Sequence, residues 1–272
     1  MKKYGILAYP AKHSLSPVMF DVAFKESGID AQYGVFDIGE LELPAFMETV
    51  KHEPINGLSV SLPYKENVMD YLDEIDEDAR AIGAVNTVLN KGGFLHGYNT
   101  DYLGSARALK DACGSLKGKK VVVMGAGGAV RGIVYGLIKE GAEVTIYNRT
   151  ISKAEEIAKD FEIEFGDLEN MNNARGDIFI QASSVWLSNP EMSTEDVDAL
   201  FPDEFVSNFR VVVDIVYKPL KTPLLKKAER LGINIVTGEK MLLYQAIEQF
   251  KIWTDKEAPV EIMRKSLERS LV

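Results

Sequence analysis

The chain has 272 residues, enough for one large or two modest domains, and its 46% hydrophobic and 26% charged residues are those of a globular protein. A formal net charge of -10, from 31 basic and 41 acidic side chains, argues against a nucleic-acid partner, which would need a basic stripe. One cysteine, Cys113, and three scattered histidines exclude an internal disulfide and a cysteine metal cluster and argue against zinc, so no metal is expected.

Met1 to Leu7 starts basic but sustains no apolar run before Pro10 and Lys12, which predicts a strand over 4–9 rather than a signal peptide. No stretch approaches the roughly 20 apolar residues of a membrane span, and the expected location is the cytoplasm. Ser16-Pro17 reads as an N-cap followed by proline at the first helical position, opening a helix to about Ser27. A strand over 32–36, a helix starting near Pro44 and a short strand over 57–61 that stops at Pro63 follow. Segments 84–89 and 93–98 predict a hairpin about a Lys91-Gly92 turn, and a helix is predicted over 101–113. Gly114 to Gly118 is a short polar link where a domain boundary is expected.

Beyond that link, Val121-Val122-Val123-Met124 runs into Gly125-Ala126-Gly127-Gly128-Ala129 and then a helical segment, Val130 to Glu140. Strand, glycine turn and helix are the parts of a dinucleotide unit, where backbone N–H groups at a helix N-terminus meet a pyrophosphate. The pattern is not the full G-x-G-x-x-G and is a weak signal alone. A second strand, 143–147, ends in Asn148-Arg149-Thr150 with Lys153 just beyond. An acidic residue at this place would hold a ribose 2′-OH; arginine there suits a 2′-phosphate, with Thr150 and Lys153 as further donors, and points to NADP. The alternative is an ordinary strand end with solvated basic residues. Strands over 177–181, 211–215 and 234–236 complete the alternation and predict a parallel sheet covered on both faces. Helices over 239–253 and 259–271 have no strand after them and are expected to return to the first domain, while 188–208 reads as an acidic, irregular surface excursion.

Polar residues in the first half could carry chemistry. In His13-Ser14-Leu15-Ser16-Pro17, two hydroxyls at a helix entrance suit a carboxylate or phosphate, or Ser16 is only a cap. Lys65 follows Pro63-Tyr64 just past a strand end, a place for a reactive group or a solvated lysine. Asn86 sits in an apolar strand and needs partners, and Asp101 after Gly97-Tyr98-Asn99-Thr100 is either an N-cap or more.

Taken together, these motifs resemble the shikimate dehydrogenase family over nearly the whole chain. The resemblance also rests on Ala81-Ile82-Gly83-Ala84-Val85-Asn86-Thr87, on Asp214-Ile215-Val216-Tyr217-Lys218-Pro219 with Thr222-Pro223-Leu224, and on Gly238-Glu239-Lys240-Met241-Leu242 with Gln245-Ala246. It implies an α/β chain of two domains. Residues 1–110, completed by 240–272, would bind substrate, and 111–239 would be a Rossmann-like NADP domain, with a cleft between them. It implies Lys65 and Asp101 as catalytic residues, Ser14 and Ser16 on the shikimate carboxylate, and Ser61, Asn86, Asp101 and Gln245 on the ring hydroxyls. Tyr217 would lie near the substrate, and Gly238 and Met241 beside the nicotinamide. The implied activity is reversible NADPH-dependent reduction of 3-dehydroshikimate to shikimate by a monomer or homodimer. Alternatives are a relative that also takes quinate, a ligand-binding relative with little turnover, and a dehydrogenase of folate-like or amino-acid substrates. The last leaves the paired serines and Gln245 unexplained.

The chain differs from the family at two places. It has Ser59-Val60-Ser61 for Asn-Val-Thr, and Gln181-Ala182-Ser183-Ser184-Val185-Trp186 for Asn-Ala-Thr-Ser-x-Gly. Trp186 is expected close to the cofactor, redirecting the loop or crowding the nicotinamide side.

Overall fold

The computed structural model describes residues 1–12, 14–188 and 192–271, so His13 and part of the 188–208 segment lie outside the described residues. The chain divides into two compact units, Met1–Gly104 with Leu243–Val272, and Ser105–Leu242. In chain order the elements are β1 (Lys2–Ala8), α1 (Ser16–Glu26), β2 (Ala31–Asp37), α2 (Leu43–His52), β3 (Ile55–Val60), β4 (Glu74–Ile75), α3 (Glu77–Ile82), β5 (Thr87–Lys91), β6 (Phe94–Tyr98) and α4 (Asp101–Cys113). There follow β7 (Lys120–Met124), α5 (Gly128–Lys139), β8 (Glu143–Asn148), α6 (Ile151–Phe161), β9 (Glu164–Asp167), β10 (Ile178–Gln181), α7 (Val185–Ser188), α8 (Thr194–Leu200) and α9 (Asp203–Val206). The last are β11 (Val211–Asp214), α10 (Pro223–Arg230), β12 (Asn234–Val236), α11 (Gly238–Thr254) and α12 (Val260–Arg269).

The first unit is built on a mixed sheet of order β2-β1-β3-β5-β6-β4. β1 pairs in parallel with β2 and β3, and β5 is antiparallel to β3 and β6. Because side chains alternate along a strand, β1 faces two cores. Leu7 joins Val50, Leu58, Tyr64 and Val88 in one. Tyr4 stacks in the other between Phe24 of α1 and Trp253 of α11, with ring centroids 5.0 and 5.1 Å away. The hairpin turn is Gly92-Gly93, with φ of 66° and 95°, and not Lys91-Gly92. Both turn residues need positive φ, and Asn90 accepts a bond from the Gly93 N–H at 2.7 Å. Ser16 is likewise not the N-cap of α1: Leu15 holds that position with no side-chain bond, and Ser16 is the first helical residue.

The second unit is an all-parallel sheet of order β12-β11-β10-β7-β8-β9. The valine run of β7, Ile178-Phe179-Ile180 of β10 and the valines of β11 are buried, as a sheet covered on both faces requires. The order in which strands are added reverses at β7, first outward through β8 and β9 and then through β10 to β12, so the ends of β7 and β10 flank the switch point where such sheets bind ligands. β9 carried no sequence signal: it is a half-exposed edge strand, with Phe165 41% exposed.

The described part of the 188–208 segment from residue 192 onward is not an irregular excursion. Ser193 forms a capping box with Asp196 at the start of α8, and Phe201, Phe205 and Val206 are buried in the unit's core. Val197 on α8, Phe201 just past its end and Phe205 on α9 are buried apolar positions of the segment, masked in the sequence by the acidic residues between them. The buried Lys227 ammonium holds the segment by pairing with Asp198 and Asp203 and donating to the Phe201 carbonyl at 2.7 Å.

Candidate active site

In the first unit, chain segments distant in sequence converge on a buried polar cluster. Lys65 Nζ donates to Asp101 Oδ2 at 2.5 Å, and the two side chains are 12% and 5% exposed. The lysine is therefore not a solvated surface residue. Its carbonyl accepts from the Val85 N–H at 2.7 Å, and the preceding Tyr64 is buried and bonded to the Ile38 carbonyl. Asp101 is the first residue of α4 and not its cap; Asn99 Oδ1 accepts from its N–H at 2.9 Å.

Asn86 is the hub. Its Nδ2 donates to Asp101 Oδ1 at 2.9 Å, to Thr100 Oγ1 at 3.0 Å and to Gln245 Oε1 at 3.4 Å. Its Oδ1 accepts from the Thr100 N–H at 2.8 Å and from Thr87 Oγ1 at 2.7 Å. Every polar atom of this buried amide is thus engaged, which fixes its orientation. Gln249, one turn beyond Gln245 on α11, donates to the Asn86 carbonyl at 2.9 Å and accepts from Ser59 Oγ at 2.7 Å. Ser59 in turn accepts from the Tyr33 hydroxyl at 2.6 Å, and Tyr33 also bonds the Ser16 side chain. Burial pushes the Tyr33 phenol upward, so it stays a protonated donor. Ser14 Oγ accepts from the Ser16 N–H at 3.2 Å, and Ser61 follows β3 with its N–H on the Leu7 carbonyl at 2.9 Å.

Tyr33, Gln249 and Thr100 were not among the sequence candidates. Gln249 could have been found, because i and i+4 share one helix face. Tyr33 could not, since nothing local distinguishes it from a core aromatic.

In the second unit, Gly125 follows β7 with φ of 129°, and a Cβ there would stand 2.7 Å from the Ala182 carbonyl oxygen. Only glycine fits this contact between the ends of β7 and β10. Gly127 is the N-cap of α5 with no side-chain cap, and a Cβ on it would meet nothing within 4 Å. Ala126, Gly127, Gly128 and Ala129 therefore surround an open helix N-terminus, the partial positive end of the helix. Arg131 is not available to it, being paired with Asp160. At the end of β8, Asn148 Nδ2 donates to the Thr150 carbonyl at 2.9 Å. Arg149 and Lys153 beside it are exposed and pair with no acid among the described residues. Thr150 caps α6 by its backbone without a side-chain bond. Uncommitted cations next to an open helix end suit a phosphorylated dinucleotide.

Gly238 opens α11 against the Ile215 backbone, leaving no room for a Cβ, and Met241 shares a small cavity with Asp214, Ile215 and Val236. Tyr217 follows β11 in the same unit. Trp186 does not project into open space. It is 7% exposed, packs on Phe201 and donates its indole N–H to Asp214 Oδ2 at 2.6 Å. Among the described residues no helix is long and apolar enough to cross a membrane.

Three family models match in succession: the shikimate dehydrogenase substrate binding domain over residues 6–88, shikimate / quinate 5-dehydrogenase over 107–218, and the shikimate 5'-dehydrogenase C-terminal domain over 238–268. The shikimate dehydrogenase (NADP(+)) of Pyrococcus abyssi is 43% identical over 99% of this chain and 98% of its own length. That of Aquifex aeolicus is 38% identical over 97% and 95%. Among solved structures, a shikimate dehydrogenase in complex with NADP+ superposes with a TM-score of 0.92 at 35% identity, covering 100% of this chain and 96% of that one. The Thermus thermophilus enzyme in complex with NADP(H) and shikimate gives 0.87 at 34% identity, covering 100% of both chains. Full-length identity of this order, joined to an all-parallel dinucleotide sheet and a polar cluster assembled from the family's own motifs, leads to one conclusion: the chain belongs to the shikimate dehydrogenase family.

Proposed function

We propose that the chain catalyses the reversible NADPH-dependent reduction of 3-dehydroshikimate to shikimate, a step toward chorismate and the aromatic amino acids. The first unit binds the substrate and the second binds NADP. The observation that carries the chemical assignment is the buried Lys65–Asp101 pair, held from behind by Asn86.

NADPH, when bound, supplies the hydride. As the ketone becomes an alkoxide, its oxygen needs a proton, and the Lys65 ammonium is the group placed to give it. Running toward the ketone, a neutral Lys65 takes that proton back. Asp101 aims the ammonium through Oδ2, and its other oxygen is held by Asn86, so the pair keeps one geometry through the cycle. Ser14 and Ser16 at the start of α1 supply hydroxyl donors for the carboxylate, while Ser61, Asn86 and Gln245 contact the ring hydroxyls. Tyr217 is assigned to the substrate, and Gly238 and Met241 to the nicotinamide. In that unit the Gly125–Ala129 turn receives the pyrophosphate, and Asn148, Arg149, Thr150 and Lys153 receive the 2′-phosphate. The same reading places the enzyme in the cytoplasm, with the pool of its diffusible cofactor, as a monomer or homodimer.

The test is a crossed assay of NADP and NAD against shikimate and quinate, followed by nicotinamide absorbance. Turnover greatest with NADP and shikimate is expected. Turnover with quinate alone, or with no combination, would overturn the substrate or the catalytic assignment respectively.

A further inference from the structure

Gln181 and Trp186, two of the residues at which this chain's second unit departs from the family pattern, point at one buried carboxylate. Gln181 ends β10 and is the register partner of Asp214, which ends β11. Asp214 Oδ1 accepts from Gln181 Nε2 at 3.3 Å and from the Val216 N–H at 3.0 Å. Oδ2 accepts from Trp186 Nε1 at 2.6 Å and from Thr222 Oγ1 at 2.8 Å. The side chain is fully buried and these four donors are neutral. Asp214 therefore ties together the ends of β10 and β11, the first turn of α7 and the start of α10, and the mechanism above gives it no task.

What lies between Gln181 and Trp186 gives this knot a function. The Ala182 N–H donates to the Met124 carbonyl at 2.8 Å, and the Ser183 N–H donates to Gln181 Oε1 at 2.6 Å. A Cβ on Gly125 would stand 2.7 Å from the Ala182 oxygen and 3.0 Å from the Ser183 nitrogen. The Ala182–Ser183 backbone is thus the wall against which the glycine turn is built. Its near end is anchored by β10, and its far end is anchored by the indole–carboxylate bond. A glycine at 186 offers no donor and frees the backbone.

We propose that Trp186 is a positioning residue for the dinucleotide turn: through Asp214 it holds the Ala182–Ser183 wall against Gly125, and this preorganisation raises affinity for NADP. The inference rests on the second unit being the NADP site. A wall already ordered in the free protein costs less to order on binding, and the gain is read as affinity.

The experiment is calorimetric titration of NADP+ into the purified full-length protein, without substrate, at a temperature well below unfolding. Trp186→Phe keeps a ring against Phe201 and removes the one donor. It is expected to weaken NADP+ binding about 3- to 10-fold, as loss of one hydrogen bond does, while shikimate affinity stays unchanged. Asp214→Asn in the Trp186→Phe background should add less than it does alone, because the two act through one bond. A lowered melting temperature with NADP+ affinity unchanged would make Trp186 a core residue only and overturn the inference. Failure of the unsubstituted protein to bind NADP+ would instead overturn the cofactor reading, and this inference with it. Hydrogen exchange on the unsubstituted, cofactor-free protein is an independent check should the variants not fold. Slow exchange of the Ala182 and Ser183 amides supports the ordered wall, and fast exchange overturns it.

Discussion

Replacing Lys65 by methionine, which keeps the methylene stem and deletes the ammonium, separates catalysis from folding. Asp101 is 5% exposed and Lys65 12%, so the variant leaves a carboxylate almost entirely out of water. Breaking a buried pair from one side costs about 3–5 kcal/mol. Asp101 keeps the Asn86 bond at 2.9 Å and its place at the N-terminus of α4, both of which favour its charge. The expected loss is therefore about 2–3 kcal/mol, or roughly 5–10 °C in melting temperature at about 2–4 °C per kcal/mol. Turnover should fall by about 10²- to 10⁴-fold, the usual contribution of a general acid–base group. Lys65→Met/Asp101→Asn should recover much of the lost stability, because no unpaired charge remains, yet turn over no better than the poorer single variant. Thermal denaturation followed by far-UV circular dichroism and a nicotinamide absorbance assay measure both quantities. Near-normal turnover of Lys65→Met would refute the proton-transfer role. A double variant no more stable than Lys65→Met would refute the buried-charge reasoning.

Arg149→Ala should raise the Michaelis constant for NADP about 10- to 100-fold and leave that for NAD nearly unchanged, as loss of a charged hydrogen bond worth about 1.5–3 kcal/mol implies; equal effects on both cofactors would make the arginine structural. Ser14→Ala/Ser16→Ala should weaken shikimate binding by an order of magnitude or more with NADP binding intact, and titration calorimetry that finds shikimate affinity preserved would remove the serines from the carboxylate site. Burial pushes the Asp214 carboxyl from 3.8 up to about 6, against the bonds from Thr222, Val216, Trp186 and Gln181. The folded chain then holds this proton more tightly than the unfolded one, so the group's contribution to stability is greatest below about pH 4 and is lost as pH rises through about 6, by roughly 3 kcal/mol. Denaturant unfolding of the wild type and Asp214→Asn across that range should give diverging stabilities, and parallel curves would contradict the shift.

Local features of the sequence were enough for the strand–turn–helix core of the second unit, though not for its edge strand β9 or for α8 and α9. The buried valine run of β7, the glycine turn and the apolar start of α5 each depend on neighbours within a few residues, and so does the exchange of an acid for Arg149 at the end of β8. The helix at Asp101–Cys113 and the proline-led starts of α1 and α2 were legible for the same reason. Tertiary structure decided what is polar and distant. Lys65 meets Asp101 across 36 positions, Asn86 meets Gln245 across 159, and Ser59 meets Gln249 across 190. No period of 2 or 3.6 encodes such pairings. A lone lysine, serine or tyrosine reads the same whether it is solvated or closes a buried network, and only the partner brought from elsewhere in the chain tells the two apart. Trp186 is the plainest case. From sequence it stood as a bulky departure at a turn, and the fold, by bringing the end of β11 alongside β10, gave its N–H a buried carboxylate to hold.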